Sequence, residues 1–132
     1  QWEAFLTQKE QMARAYGLSR IEGRKLAKMY GTNVDKVFHY AQILSTIPST
    51  LPLSLIAQIY YAVHEEMAYS PVDFLVRRTG MLYFDIQHFK EYKEEIVNVM
   101  KQLLHYSDAE TIAFNKQLEK LFNEATLKGS RD

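Results

Sequence analysis

Hydrophobic residues recur along this chain at the spacing of helices that face a core. The clearest case is Val34, Val37, Phe38, Ala41 and Leu44, which fall at i, i+3, i+4, i+7 and i+10. Comparable stripes cover about residues 2–16, 19–31, 33–44, 54–67, 70–80, 82–105 and 107 onward, with a bend expected at 85–89. We therefore predict an all-α fold, a compact bundle of about six helices forming a single domain over residues 1–132, with a frayed tail at 129–132.

Three serines mark the starts of predicted helices. In SRIE and SDAE, Ser19 and Ser107 precede Glu22 and Glu110 by three residues, which is the spacing of a capping box. In SPVD, Ser70 is an N-cap ahead of a proline at the first helical position. The helical stripes also assign several large side chains to the core: Trp2, Ile21, Met29, Met67 and Ile112.

Composition narrows the class of protein. The chain has 132 residues, 16 Lys plus Arg against 16 Asp plus Glu, and no cysteine. Net charge gives no hint of nucleic acid as a partner, and disulfides and thiolate metal sites are excluded. No apolar run approaches the roughly 20 residues needed to cross a bilayer, and no signal peptide is evident. The chain begins with Gln1, so we expect a fragment or a processed product.

The usual signatures of catalysis and metal binding are incomplete. His64-Glu65-Glu66 begins like the zinc-protease motif HExxH, but the second histidine is replaced by Ala68. The other histidines, His39, His88 and His105, have no ligand spacing. No glycine-rich loop could hold a phosphate, and nothing orders Ser, His and Asp into a triad. We expect no catalytic, cofactor-binding or metal-binding residue.

Five charged residues cluster where two predicted helices meet: Glu65, Glu66, Asp73, Arg77 and Arg78. Neighbouring helix positions point about 100° apart, so Glu65 and Glu66 do not face one another as an acid/base pair would. Glu66 and Arg78 both fall at the edge of an apolar face. We predict a structural ion pair across the junction, Glu66–Arg78 or Glu65–Arg77, with a buried arginine; contact with an anion or a partner is the alternative.

A basic stretch runs from Lys9 to Lys36. It holds seven basic and three acidic residues on two helices separated by GTN, an arrangement similar to a helix-turn-helix DNA reader. The second helix has no arginine, and Asp35 in its first turn would face phosphates. A solvated basic face is the favoured interpretation.

The junction resembles a known family. YAVHEEMAYSPVDFLVRRTG, Tyr61 to Gly80, is similar to a segment of the form Y-A-V-x-E-E-M-A-x-x-x-x-D-F-L-x-R-R-T in the C-terminal helical domain of FAD-dependent glycerol-3-phosphate dehydrogenases and related α-glycerophosphate oxidases. GLSRIEGRKLAKMYGTNVDKVF and MLYFDI match the same domain. The resemblance covers about residues 17–104 and is closest to the Gram-positive bacterial members.

The resemblance implies a parent flavoenzyme and no chemistry in this chain. The parent would oxidise sn-glycerol 3-phosphate to dihydroxyacetone phosphate, with electrons passing through FAD to quinone or oxygen. The family binds FAD and substrate upstream, on a glycine-rich fingerprint that this chain lacks, so no catalytic residue carries over. The expected partner is the N-terminal FAD/substrate domain of the same polypeptide, with no nucleic acid and no transmembrane segment. The implied location is the cytoplasm; attachment to the inner face of the membrane and homo-oligomerisation stay open.

Two other classes remain as alternatives. One is a stand-alone helical interaction or nucleic-acid-binding module that uses the basic face of Lys9–Lys36. The other is a small enzyme that uses His64, Glu65 and Glu66, for which no substrate suggests itself.

Overall fold

The structure, a computed structural model, describes the backbone of residues 1–131 and the side chains of residues 1–127. It confirms the all-α prediction, and no strand occurs within these limits. The helices are α1 (Trp2–Ala13), α2 (Arg20–Tyr30), α3 (Val34–Leu44), α4 (Leu53–Glu65), α5 (Met81–Phe84), α6 (Ile86–Leu104) and α7 (Asp108–Arg131). Two 3-10 turns, Arg14–Tyr16 and Gly31–Asn33, and a π-helix, Asp73–Arg78, complete the helical segments.

The chain divides into two compact units, residues 1–65 and residues from 66 onward. The first unit contains α1 to α4, and the second contains the π-helix and α5 to α7. Each unit is described by itself below.

A close crossing of α1 and α2 organises the first unit. Gly23 makes it possible, since a β-carbon at this position would lie 2.4 Å from the Ala13 β-carbon and 3.0 Å from the Lys9 carbonyl oxygen. The stripe predicted for α3 is buried, and Phe38 stacks on Tyr16 with ring centroids 5.5 Å apart. The core of this unit lies between α1, α2, α3 and α4 and consists mainly of aliphatic side chains.

The second unit has fully buried side chains on the π-helix, on α6 and on α7: Phe74, Leu75, Phe89 and Leu118. Phe89 stacks on Phe122 with centroids 6.3 Å apart, which joins α6 to α7. The π-helix contributes both buried apolar side chains and the charged residues described below.

The bend predicted at residues 85–89 is an interruption of the helix at Asp85. This residue has φ −153° and ψ 66°, outside the helical region, and its carboxylate accepts a hydrogen bond from the His88 backbone N–H at 3.4 Å. One predicted helix is therefore two, α5 and α6. At the other end of the unit α7 continues to Arg131; Asp132, the last residue of the tail predicted to fray, lies outside the described residues.

Several residues assigned to the core by helical spacing are exposed. Ile21 is 82% exposed and Met67 is 86% exposed, and Trp2, Met29 and Ile112 also face outward. Ile21 lies in the first turn of α2. The direction of the chain there is set by the capping box and not by a hydrophobic contact. Met67 lies two residues beyond the end of α4, so the helical spacing that would have placed it inward no longer applies.

The capping box of α7 is present and is reinforced by a tyrosine. The Ser107 backbone N–H donates to Glu110 Oε1 and the Glu110 backbone N–H donates to Ser107 Oγ, both at 3.0 Å, while the Tyr69 hydroxyl donates to Glu110 Oε2 at 2.5 Å. The Ser107 N–H, and then the Tyr69 hydroxyl, lower the pKa of the Glu110 carboxyl below its ordinary 4.5. The charged form of Glu110 is thus the one that the fold favours.

This lowered pKa predicts a loss of stability in acid. A carboxyl whose folded pKa is depressed contributes fully above its unfolded pKa, here 4.5, and the contribution disappears as pH falls below that value. We expect the denaturant midpoint of wild type to drop more steeply below pH 4.5 than that of Glu110→Gln, measured by urea unfolding at a series of pH values. The exposed Glu124→Gln on the same helix is the matched control and should keep the wild-type slope.

Candidate functional site

The candidate site is the group of ion pairs around the π-helix Asp73–Arg78. The Ser70 side chain caps the start of this segment by accepting the Asp73 backbone N–H at 3.0 Å, and the Thr79 N–H donates to the Phe74 carbonyl at 3.0 Å, which is the i→i+5 pattern of a π-helix. In this pattern residues five apart lie one turn above each other, whereas an α-helix stacks residues four apart. The π-helix therefore brings Arg78 over Asp73.

Arg78 connects two carboxylates on different segments. Its Nε lies 2.6 Å from Asp73 Oδ2 and its Nη1 lies 3.0 Å from Glu66 Oε1, with a longer hydrogen bond of 3.5 Å from Nη2 to the Glu66 carbonyl. The hydrogen bond to Asp73 raises the pKa of the Arg78 guanidinium, and the charge of Glu66 acts in the same direction. The arrangement ties Glu66, just after α4, to the π-helix.

The arginine is less buried than the sequence suggested. The Arg78 side chain is 29% exposed, and the carboxylates of Asp73 and Glu66 are similarly half-buried. Arg78 divides its nitrogens between the carboxylates of Asp73 and Glu66. Partial hydration of all three groups lowers what the network contributes relative to a fully buried pair.

Arg77 and Glu65 stand apart from this centre. Arg77 is 81% exposed and its Nη1 lies 3.8 Å from Asp73 Oδ1, which gives it an ion pair within its own helix. Glu65, the last residue of α4, belongs to the first unit, where it lines an open groove of about 470 Å³. Burial, and then the Glu65 charge, raise the pKa of Tyr40 in that groove.

The predicted helix caps are all placed at helix starts. Ser19 forms both bonds of the capping box with Glu22, 2.9 Å and 3.1 Å long, and Ser107 and Ser70 cap their helices as described above. They define local structure.

Metal-binding and membrane-spanning features are not found in the described residues. No group of three or more His, Asp or Glu side chains there has the arrangement of a metal site. None of the helices examined combines the length and the apolar character of a membrane span. The described residues contain no strand, and the five glycines of the sequence form no GxGxxG motif.

Three of the seven basic residues in the stretch Lys9–Lys36 have ion pairs within the first unit. Lys9 is buried and its Nζ lies 2.8 Å from Asp35 Oδ1. Arg24 contacts both Glu3 and Glu10 at 2.9 Å, and Arg20 lies 3.6 Å from Glu10. Cations already paired in this way release few counterions on meeting a phosphate backbone, which weakens the case for a nucleic-acid-binding face.

Sequence reasoning missed three features of the second unit. The π-helix was predicted as an α-helix, since hydrophobic spacing over six residues cannot distinguish the two. Met67 has φ +56°, a left-handed conformation that is uncommon outside glycine. Tyr83 and Phe84 end the one-turn helix α5 with 70% and 88% of their surface exposed. The only sequence signal for this exposed aromatic pair is the occurrence of two adjacent aromatic residues before Asp85.

These observations define the class: an all-α domain whose described part is held by internal ion pairs. Residues 2–111 match the family described as the C-terminal domain of alpha-glycerophosphate oxidase, and the chain belongs to that family. The match extends beyond the residues 17–104 that carry the resemblance in sequence.

Individual relatives agree with this assignment. The chain is 39% identical over 124 residues to an aerobic glycerol-3-phosphate dehydrogenase of Staphylococcus aureus and 40% identical to one of Staphylococcus epidermidis, covering 94% of this chain and 22% of each relative. The solved structure of the glycerol-3-phosphate dehydrogenase from Bacillus halodurans, complexed with FAD, superposes with a TM-score of 0.85 at 34% identity. That superposition covers 91% of this chain and 25% of the Bacillus halodurans chain.

The chain thus spans about a quarter or less of the proteins it resembles. The alternatives of a stand-alone nucleic-acid-binding module and of a small independent enzyme receive no support from these matches. All the relatives named here are oxidoreductases that act on glycerol 3-phosphate.

Proposed function

We propose that residues 1–132 are the non-catalytic C-terminal helical domain of an FAD-dependent glycerol-3-phosphate dehydrogenase. The parent protein would oxidise sn-glycerol 3-phosphate to dihydroxyacetone phosphate, with FAD accepting the hydride and passing electrons to quinone or oxygen. The observation that carries this proposal is the match of residues 2–111 to a family of C-terminal domains, together with a solved relative that holds FAD and is about four times as long.

The role of the domain is to dock on the flavoprotein body and stabilise it. Its own residues offer no nucleotide fold, metal site or acid–base pair in the described part, whereas the Arg78 network holds the loop after α4 in one conformation. A fixed loop costs little entropy when it becomes part of an interface, so the network is suited to presenting a contact surface. In this proposal Asp73, Glu66 and Arg78 position the loop after α4. Arg77 adds an exposed positive charge.

The proposal extends to the cellular location of the parent protein. We propose a cytoplasmic protein with its FAD and substrate sites in the preceding part of the polypeptide, and with any membrane attachment occurring through that part. A cell lysate is separated into a soluble fraction and a membrane pellet, and the domain is detected in each. Its distribution distinguishes a cytoplasmic parent protein from one attached to the membrane.

The decisive experiment measures the size and colour of the native protein. An antibody against this domain is used to blot and immunoprecipitate from lysate of the source cells. We expect a polypeptide several times longer than 132 residues, with flavin absorbance that bleaches anaerobically when glycerol 3-phosphate is added. A colourless band at the size of this chain would contradict the proposal, and glycerol without the phosphate is the control substrate.

A further inference from the structure

The second unit exposes three large apolar side chains near one end of its π-helix. Met67, Tyr83 and Phe84 are respectively 86%, 70% and 88% exposed. Arg78 at the end of the π-helix holds Glu66, the neighbour of Met67, and the Phe84 ring folds back on Gly80, two residues beyond Arg78. The three side chains, called here the Met67–Tyr83–Phe84 surface, are thus attached to the same short segment.

Backbone hydrogen bonds hold this surface in place. The Tyr83 and Phe84 N–H groups donate to the Gly80 carbonyl at 3.0 and 2.9 Å, and the Met81 N–H donates to Thr79 Oγ1 at 3.1 Å. Gly80 has φ +65°, and a β-carbon there would lie 2.7 Å from the Phe84 ring. The aromatic pair is therefore displayed by a hydrogen-bonded turn whose positive φ at Gly80 favours glycine.

Met67 adds a second indication that the surface is used. Its positive φ is unfavourable for a residue with a β-carbon, and its side chain gains no burial in the described fold that would compensate. The conformation persists because Arg78 fixes the preceding residue through both its carboxylate and its carbonyl. Strained residues of this kind cluster at sites of binding.

The chemistry of the surface fits a protein partner better than a lipid surface. Met, aromatic residues and Arg are enriched at the centre of protein interfaces, and the exposed Arg77 lies in the same segment. Binding to anionic lipid requires a cluster of Lys and Arg, whereas residues 66–86 contain two arginines against three acidic residues.

We propose that the Met67–Tyr83–Phe84 surface is the contact through which this domain docks on the FAD-containing part of its own polypeptide. The inference rests on the proposed function. The chain covers 22% of its dehydrogenase relatives and 25% of the Bacillus halodurans structure, so the partner is the remaining three quarters of such a chain. Burial of the aromatic pair there would explain why a domain of this family exposes it.

The test places a photo-cross-linker in the full-length protein that carries this domain. Phe84→p-benzoylphenylalanine is irradiated in the yellow holoenzyme, and Ile21→p-benzoylphenylalanine, at a similarly exposed position of the first unit, is the matched control. Mixing nitrogen-15-labelled and unlabelled protein distinguishes cross-links within one chain from those between copies. A parallel sample contains vesicles of phosphatidylglycerol and phosphatidylcholine.

We expect peptides preceding residue 1 of the same chain to be captured from position 84 at least about tenfold more efficiently than from position 21, because benzophenone reacts only at contact distance. Capture between copies, capture of lipid alone, equal capture at both positions, or no capture would each overturn the inference while leaving the yellow parent enzyme established. A native protein no longer than this chain and free of flavin would overturn the inference and the proposed function together.

Discussion

Phe74→Ala is expected to destabilise the second unit by about 3–5 kcal/mol, the usual cost of removing a buried phenylalanine. Phe74 is fully buried, and it occupies the π-helix beside Asp73, so the cavity would open directly beneath the ion pairs. Hydrogen exchange followed by mass spectrometry is the appropriate measurement, because it reports the two units separately. Exchange of the protected amides from residue 66 onward should accelerate by about two to four powers of ten.

Phe84→Ala is the matched control for this prediction. The residue type and the substitution are the same, but Phe84 is 88% exposed in this domain, so its loss should change stability by no more than about 0.5 kcal/mol. Equal effects of the two variants would contradict the burial assigned to Phe74. In the full-length protein the same Phe84→Ala change should loosen the domain from the body, which separates a docking role from a folding role.

The sequence was sufficient for the features of the fold that arise from periodicity and capping. The stripe from Val34 to Leu44 is buried as predicted, and Ser19 and Ser107 form their capping boxes because each bond joins residues only three apart. Local geometry of this kind needs no knowledge of distant segments. It also explains why the all-α class could be predicted from the chain alone.

The predictions from hydrophobic spacing were wrong where tertiary contacts decide burial or where a helix begins or ends. Ile21 has the spacing of a core residue but no helix covers it, and the break at Asp85 depends on a non-helical backbone that spacing cannot reveal. Gly23 was not recognised as a crossing point, since a close approach to Ala13 is visible only in three dimensions.

The candidate site was partly predictable for the same reason. Charge complementarity between Glu66 and Arg78 at a helix junction identified their contact, 3.0 Å in the structure. The partner Asp73 could not be assigned to Arg78, because five-residue spacing separates their side chains on an α-helix and brings them together only on a π-helix. The predicted charged cluster includes Glu65 because it is the neighbour of Glu66 in the sequence. The side chains of adjacent residues point in different directions where α4 ends.

Arg78→Ala should lower the stability of the second unit by about 1.5–3 kcal/mol, the range for hydrogen bonds to charged groups. The variant removes the cation that Glu66 pairs with and leaves Asp73 with only the longer contact to the exposed Arg77. A fully buried pair would cost about 3–5 kcal/mol when broken, but water reaches these half-exposed carboxylates and reduces the loss. Hydrogen exchange should increase first at the Glu66 end of the loop from Glu66 to Ser70, since Arg78 binds both the carboxylate and the carbonyl of Glu66.

Arg77→Ala is the matched control, because the neighbouring arginine is 81% exposed and 3.8 Å from Asp73; its loss should stay within about 0.5 kcal/mol. Arg78→Lys should give an intermediate result, since one ammonium group cannot reach two carboxylates in the geometry of a planar guanidinium. If Arg78→Ala leaves the exchange of residues 66–70 unchanged but releases the domain from the flavoprotein body, then Arg78 contacts the body directly. If both properties change together, the arginine acts by fixing the Met67–Tyr83–Phe84 surface, and Arg78→Lys should restore both in the same proportion.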